Sequence, residues 1–298
     1  MKNLGFTPWV GSIAMATCCF ALAIIPPASA AIPTLTLVGP DAAGEYDLTW
    51  SSGVLQQEAA WVGAQWADVG IMGNSYHIAP ASDVGHNKFY RVRDGQSYSA
   101  NIIGYINLTI PTGFSMIANQ LNAVPDNTLG TVLASVPENT TVYKFIPAPA
   151  PGHYQSSNFS ADNPGWTVPK ITLNPGEGVF ISIDPAQIAP ATTYAATFVG
   201  EVQFASTVPV TNGCSIVSSA VPVSDTLNNL GFPARENDTV YRYDGTLNNN
   251  HGGFRTYNWS ADNPGWAPSP PIPNVGEAFF VCGLLSRTWS RAFAVGPP

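Results

Sequence analysis

At 298 residues the chain is long enough for two or three ordinary domains, and with 45% hydrophobic residues it can bury sizeable cores. Only 10% is charged, the formal net charge is −8 and no run of Lys or Arg occurs. That balance argues against nucleic acid or anionic lipid as a partner, since both need basic side chains to neutralise phosphate.

Residues 1–30 have the layout of a secretory signal: Lys2 at the start, an apolar stretch from about 13 to 25, then Pro26, Pro27 and the small-x-small run Ala28-Ser29-Ala30. A membrane anchor would need about 20 apolar residues, more than this stretch holds. Cys18 and Cys19 raise the alternative of a lipidated N terminus, but apolar sequence continues beyond them, so cleavage near Ala30 is expected. The mature chain then has 10 basic and 19 acidic residues and is expected to carry no membrane span. Its expected destination is the extracellular space or the cell surface. Of the cysteines, Cys214 and Cys282 remain; in an oxidising compartment a bridge is one reading and two free buried thiols the other.

From 31 to 97 short runs alternate apolar and polar residues, at 34–38, 46–50, 54–57, 66–69, 75–78 and 88–93, with Gly39-Pro40-Asp41 and Ala43-Gly44 as turns. Such close spacing predicts a small antiparallel sandwich. The order of Trp50, Leu55-Gln56, Trp66 and the closing Phe89-Tyr90-Arg91-Val92 resembles the fibronectin type III-like modules of exported bacterial proteins. The resemblance implies an Ig/fibronectin III-like β-sandwich.

Beyond this unit the heptapeptide SADNPGW occurs at 160–166 and again at 260–266, which marks an internal duplication. Other correspondences recur in the same order. Gly113-Phe114-Ser115-Met116-Ile117 answers to Gly213-Cys214-Ser215-Ile216-Val217, Thr141-Val142-Tyr143-Lys144-Phe145 to Thr239-Val240-Tyr241-Arg242-Tyr243, and Gly176-Glu177-Gly178-Val179-Phe180 to Gly276-Glu277-Ala278-Phe279-Phe280. Each copy is expected to close on a Phe-x-x-Gly pattern, near 198–200 and 293–296. Two repeats follow, 98–201 and 202–298, both all-β, because β-branched and aromatic residues alternate in the matched runs. Helix is expected only over 127–133, opened by Asn127 as a cap, and over its counterpart 225–230. The fold class predicted is therefore all-β: an N-terminal sandwich, then two tandem antiparallel β-sandwich or barrel repeats. These matched runs are similar to a tandem β-repeat of bacterial secreted and surface proteins of the Verrucomicrobia and Planctomycetes type. The similarity implies architecture and assigns no catalytic residue.

Candidate chemistry is sparse. Asp162-Asn163-Pro164-Gly165-Trp166 and its copy read first as a tight turn whose Trp packs on the sheet. A calcium site on Asp162 or Asp262, with Glu177 or Glu277 reaching in, is the weaker reading, since no ladder of acidic residues accompanies it. Tyr154, Trp166, Tyr257, Trp259 and Trp266 lie in Asn/Ser-rich sequence and could stack on sugars, although aromatics of β-proteins more often belong to the core. The twinned glutamates Glu177/Glu277 and Glu138/Glu236 recur once per copy, which fits a structural role: satisfying turn amides or pairing with Lys or Arg. His77, His86, His153 and His251 stand apart, with neither a metal-binding spacing nor a nucleophile elbow. The expected function is that of a secreted, non-catalytic structural or adhesion protein of the bacterial cell surface or extracellular matrix. It needs no cofactor, and its partners are surface or matrix components, polysaccharide among them. A glycan-binding module on the loop aromatics is the alternative, and a carbohydrate-active hydrolase the least favoured reading.

Overall fold

Alternation of buried and exposed side chains shapes the first strands, and its breakdown marks where a strand is covered on both faces. In the computed structural model the described residues are 32–59, 65–149, 151–162, 165–262 and 265–292. The expected signal at 1–30 with its cleavage point, the Asn-Pro pairs at 163–164 and 263–264, and the closing pattern at 293–296 lie outside them.

The N-terminal strands are β1 (Leu35–Val38), β2 (Tyr46–Trp50), β3 (Val54–Glu58), β4 (Ala67–Asp68), β5 (Ser75–Ile78), β6 (Lys88–Asp94) and β7 (Ser97–Tyr98). β1, β2 and β5 form one antiparallel sheet. Leu48 and Trp50 of β2 turn inward while Asp47 turns out. The second sheet does not stop at residue 97. β6 pairs with β8 (Ile103–Pro111), Phe89 opposite Gly104, and β8 pairs along its whole length with β14 (Thr193–Glu201). The order is β14-β8-β6-β3-β4. This sheet is a shared wall. Tyr90, Val92, Ile103 and Tyr105 face the small N-terminal core, whereas Phe89, Ile106 and Ile110 face a larger one. Coverage on both faces explains why β6 buries Phe89 through Val92 without interruption. The sheet thus continues across the expected boundary at 97/98, with β6 on one side of it paired to β8 on the other.

Between β8 and β14 lie β9 (Gly113–Ile117), β10 (Thr141–Ile146), β11 (His153–Ser160), β12 (Gly165–Trp166) and β13 (Val179–Ile183), ordered β12-β11-β10-β13-β9. The last third supplies β15 (Ala205–Val210), β16 (Gly213–Val217), β17 (Thr239–Asp244), β18 (Gly253–Ser260), β19 (Gly265–Ala267), β20 (Phe279–Gly283) and β21 (Arg287–Ala292). Its five-stranded sheet runs β16-β20-β17-β18-β19, the same order strand for strand, and β15 pairs with β21 as β8 does with β14. Register matches too: Tyr143 lies opposite Phe180, and Tyr241 opposite Phe280. All these sheets are antiparallel and none closes into a barrel.

The expected helix at 127–133 shrinks to one turn, α1 (Leu129–Val132), and 225–230 is a turn. Asn127 does not cap it. Its buried amide accepts from Ala123 N at 2.8 Å and Asn119 Nδ2 at 3.0 Å, while the exposed Asp126 takes the Thr128 amide at 3.0 Å.

The two five-stranded sheets meet through reciprocal contacts. Ile117 bridges to Glu277, and its counterpart Val217 bridges to Glu177. Ala118 N donates to Gly276 O at 2.8 Å, and Ser218 N donates to Gly176 O at 2.9 Å. Gly176 and Gly276 both take positive φ in their turns, +96° and +75°, and each lies hard against the other half, on Val208 and Leu108 respectively. Equivalent residues exchanging equivalent bonds is the logic of a two-fold interface, here within one chain.

Candidate functional site

Strand parity decides which side chains meet. On β10 the odd residues Tyr143 and Phe145 share a face with Phe114 and Met116 of β9, Tyr154 of β11 and Phe180 of β13. On the second sheet Tyr241, Tyr243, Phe254 and Phe280 occupy the corresponding face. The two faces meet in a continuous cluster of rings. Phe145 lies 5.8 Å from Phe280 and Phe180 5.7 Å from Tyr243, a reciprocal pair of edge-on contacts, with Phe180 and Phe280 themselves 5.9 Å apart. Beneath the rings Met116, Ala118, Ile216 and Ala278 form a small buried core. At the rim the cluster opens to solvent: Phe114 is 47% exposed, Tyr154 48% and Phe254 44%. Phe114, Tyr143, Tyr154 and Phe180 line a shallow hollow of 330 Å³ there. In the other half Cys214 stands where Phe114 does and is disulfide-bonded to Cys282 across β16 and β20.

The five aromatics predicted from sequence do not converge. Tyr154 alone lies on the open aromatic face. Trp166 and Trp266 are 5% and 6% exposed, their ring nitrogens donating to Leu133 O at 2.8 Å and Asn228 Oδ1 at 3.1 Å. A ring so enclosed offers no face to a sugar, so both fit the first reading, a Trp packed in the core, and not the stacking one. Tyr257 and Trp259 have the opposite parity to Phe254 and pack half-buried against the large core. Phe114 and Phe254, by contrast, escaped the sequence reading. Their only sequence signal was an aromatic at a strand position whose partner across the sheet was also aromatic or small.

The twinned glutamates hold turns. Glu177 accepts from Asn174 N at 2.7 Å and pairs with Lys144 Nζ at 2.8 Å; Glu277 accepts from Asn274 N at 3.0 Å and takes Arg242 through Nε and Nη2 at 2.6 and 2.7 Å. Burial disfavours the Arg242 guanidinium, but the hydrogen bonds and charge of Glu277 outweigh it and raise its pKa. Glu138 and Glu236 each accept one amide, from Ala161 and Ala261, both at 2.6 Å. Asp162 and Asp262 are exposed, and among the described residues no group of three or more His, Cys, Asp or Glu is placed to hold a metal ion. Nor, among them, is any helix long and apolar enough to cross a membrane.

Two clefts flank the junction of the halves. One, of 530 Å³, lies between β8–β9 and the end of β17 with the 274–277 turn; the other, of 480 Å³, lies between β15–β16 and the end of β10 with the 174–177 turn. They are built from equivalent strands. In comparisons with known proteins, no family model, curated protein or solved structure matches this chain.

Proposed function

We propose that this is an exported, non-catalytic structural or adhesion protein of the bacterial cell surface or extracellular matrix, made by tandem duplication of one β-unit. The aromatic face of Phe114, Tyr154 and Phe254 is its contact surface. The observation that carries the reading is that face itself: aromatic rings packed edge-on against their neighbours yet open at the rim. Engagement of the twinned carboxylates in turn amides and ion pairs supports a scaffold over a hydrolase, which would need two carboxylates poised on a substrate.

Binding of glycans is the second reading, favoured by the exposed Tyr154 ring beside a hollow of 330 Å³. Tyr154 and its neighbours replace the two core tryptophans as its platform.

Adsorption of the mature chain to cell-envelope fractions and to insoluble polysaccharides tests both. The Phe114→Ser/Tyr154→Ser/Phe254→Ser variant is expected to lose at least tenfold in adsorption while melting within a few degrees of wild type. Adsorption to envelope but not to purified polysaccharide supports adhesion, and saturable adsorption to polysaccharide promotes the glycan reading. Undiminished adsorption of the triple variant removes the aromatic face from both.

A further inference from the structure

The two clefts at the junction act as each other's control. Each carries the ion pair that holds its turn, Lys144–Glu177 in one and Arg242–Glu277 in the other. The larger cleft has a second pair that the fold does not require. Asp244 ends β17 and Arg255 stands on β18, with Arg255 Nε and Nη2 donating to Asp244 Oδ2 at 2.8 and 2.7 Å. At the matching strand positions the first half has Ile146, which ends β10 and lines the smaller cleft, and Gln155 on β11. The same architecture therefore stands without the pair.

We infer that the larger cleft, through Asp244 and Arg255, binds a neutral polyhydroxylated ligand, a sugar residue of a larger glycan. This rests on the glycan reading above but places the ligand beside Asp244 and Arg255 and not on the open rim at Tyr154. Four observations support it. The cleft's 530 Å³ falls within the roughly 300–1,000 Å³ of small-molecule sites. Its four charged side chains, Arg242, Glu277, Asp244 and Arg255, cancel in two pairs, so nothing there demands a charged ligand. Asp244 is held ionised, its carboxyl lowered to about 2 by the Thr246 hydroxyl and amide and by Arg255. It is thus a fixed acceptor beside a guanidinium with only two of its five N–H donors on Asp244, a combination that suits hydroxyls, which donate and accept at once. Ser115 and Tyr243 line the same cleft.

The test is calorimetric titration of the mature chain with cellohexaose, xylohexaose, mannohexaose and chitohexaose, and with trigalacturonate as the acidic comparison. Arg255→Gln and Asp244→Asn are assayed beside Tyr154→Ala and Gln155→Ala, the latter at the position that matches Arg255 in the first half. Binding of one neutral oligosaccharide is expected, weakened at least tenfold by Arg255→Gln and unchanged by Gln155→Ala. The Arg255 Nε–H resonance of the wild type is expected to shift on saturation, which keeps the test independent of how Asp244→Asn folds. Binding abolished by Tyr154→Ala and indifferent to Arg255→Gln overturns the cleft assignment and leaves the glycan reading standing. Binding of none of the neutral probes overturns both, and preference for trigalacturonate overturns the neutral class.

Discussion

Single side chains in this protein mostly hold turns and strand edges, and their chemistry predicts how each responds to change. His77 on β5 reaches across to β2, with Nδ1 2.9 Å from Asp47 and Nε2 2.8 Å from Glu45. The two carboxylates, Asp47 first, raise its pKa above the usual imidazole value. A raised folded-state pKa means this contribution is complete below pH ~6.5 and fades as pH rises through the folded value. Melting temperature is therefore expected to fall on titrating from pH 6 to 8, and the fall should shrink in His77→Gln. An identical pH profile in the variant would assign the dependence elsewhere. Trp166 is a different case, a large ring sealed in the core with its N–H satisfied. Trp166→Ala is expected to cost about 3–5 kcal/mol in denaturant unfolding, as is Trp266→Ala. Loss below ~1 kcal/mol would mean that neither ring is core. Glu277→Ala should cost about 2–3 kcal/mol, more than Glu177→Ala, because it strands a half-buried guanidinium that was held by two bonds.

At the scale of elements, the junction between the two five-stranded sheets carries the sharpest constraint. A Cβ built on Gly178 would lie 2.3 Å from Ala278 Cβ and 2.7 Å from Ile216 Cγ2, so one methyl is all that the contact tolerates. Gly178→Ala is expected to cost about 1–3 kcal/mol through overpacking. Adding Ala278→Gly should restore most of it, since the two positions are counterparts across the junction; absence of rescue in a double-mutant cycle would refute that contact. None of this was legible in the chain. The strands were, because Tyr46–Trp50, Ser75–Ile78 and Gly113–Ile117 keep period-2 alternation, and the turns were, because Asn-Pro-Gly-Glu and Asn-Val-Gly-Glu leave little choice. Hidden were features set by long-range partners. β6 reads as an ordinary closing strand, yet Phe89 and Tyr90 serve two cores. The turn reading of SADNPGW, with its Trp packed on the sheet, fits the buried Trp166 and Trp266, whereas nothing in the sequence singled out Phe114 and Phe254 as the exposed rim. Composition reports that an aromatic is present; only the packing of one sheet on another says which face it shows.

For the whole molecule, a rigid contact surface exists only if the two halves are locked together. One large core runs through both, from Phe89 and Ile106 through Val142 and Trp166 to Phe279 and Trp289, and the sheet of β6, β8 and β14 ties the N-terminal strands to it. Reciprocal bonds at Ala118–Gly276 and Ser218–Gly176 close the junction. Differential scanning calorimetry of a chain beginning at Ala31 tests this most directly. A single transition with calorimetric and van't Hoff enthalpies in agreement is expected. Two resolved transitions, with only one shifting when the Cys214–Cys282 bond is reduced, would show that the halves unfold independently and would contradict the locked surface on which the functional reading depends.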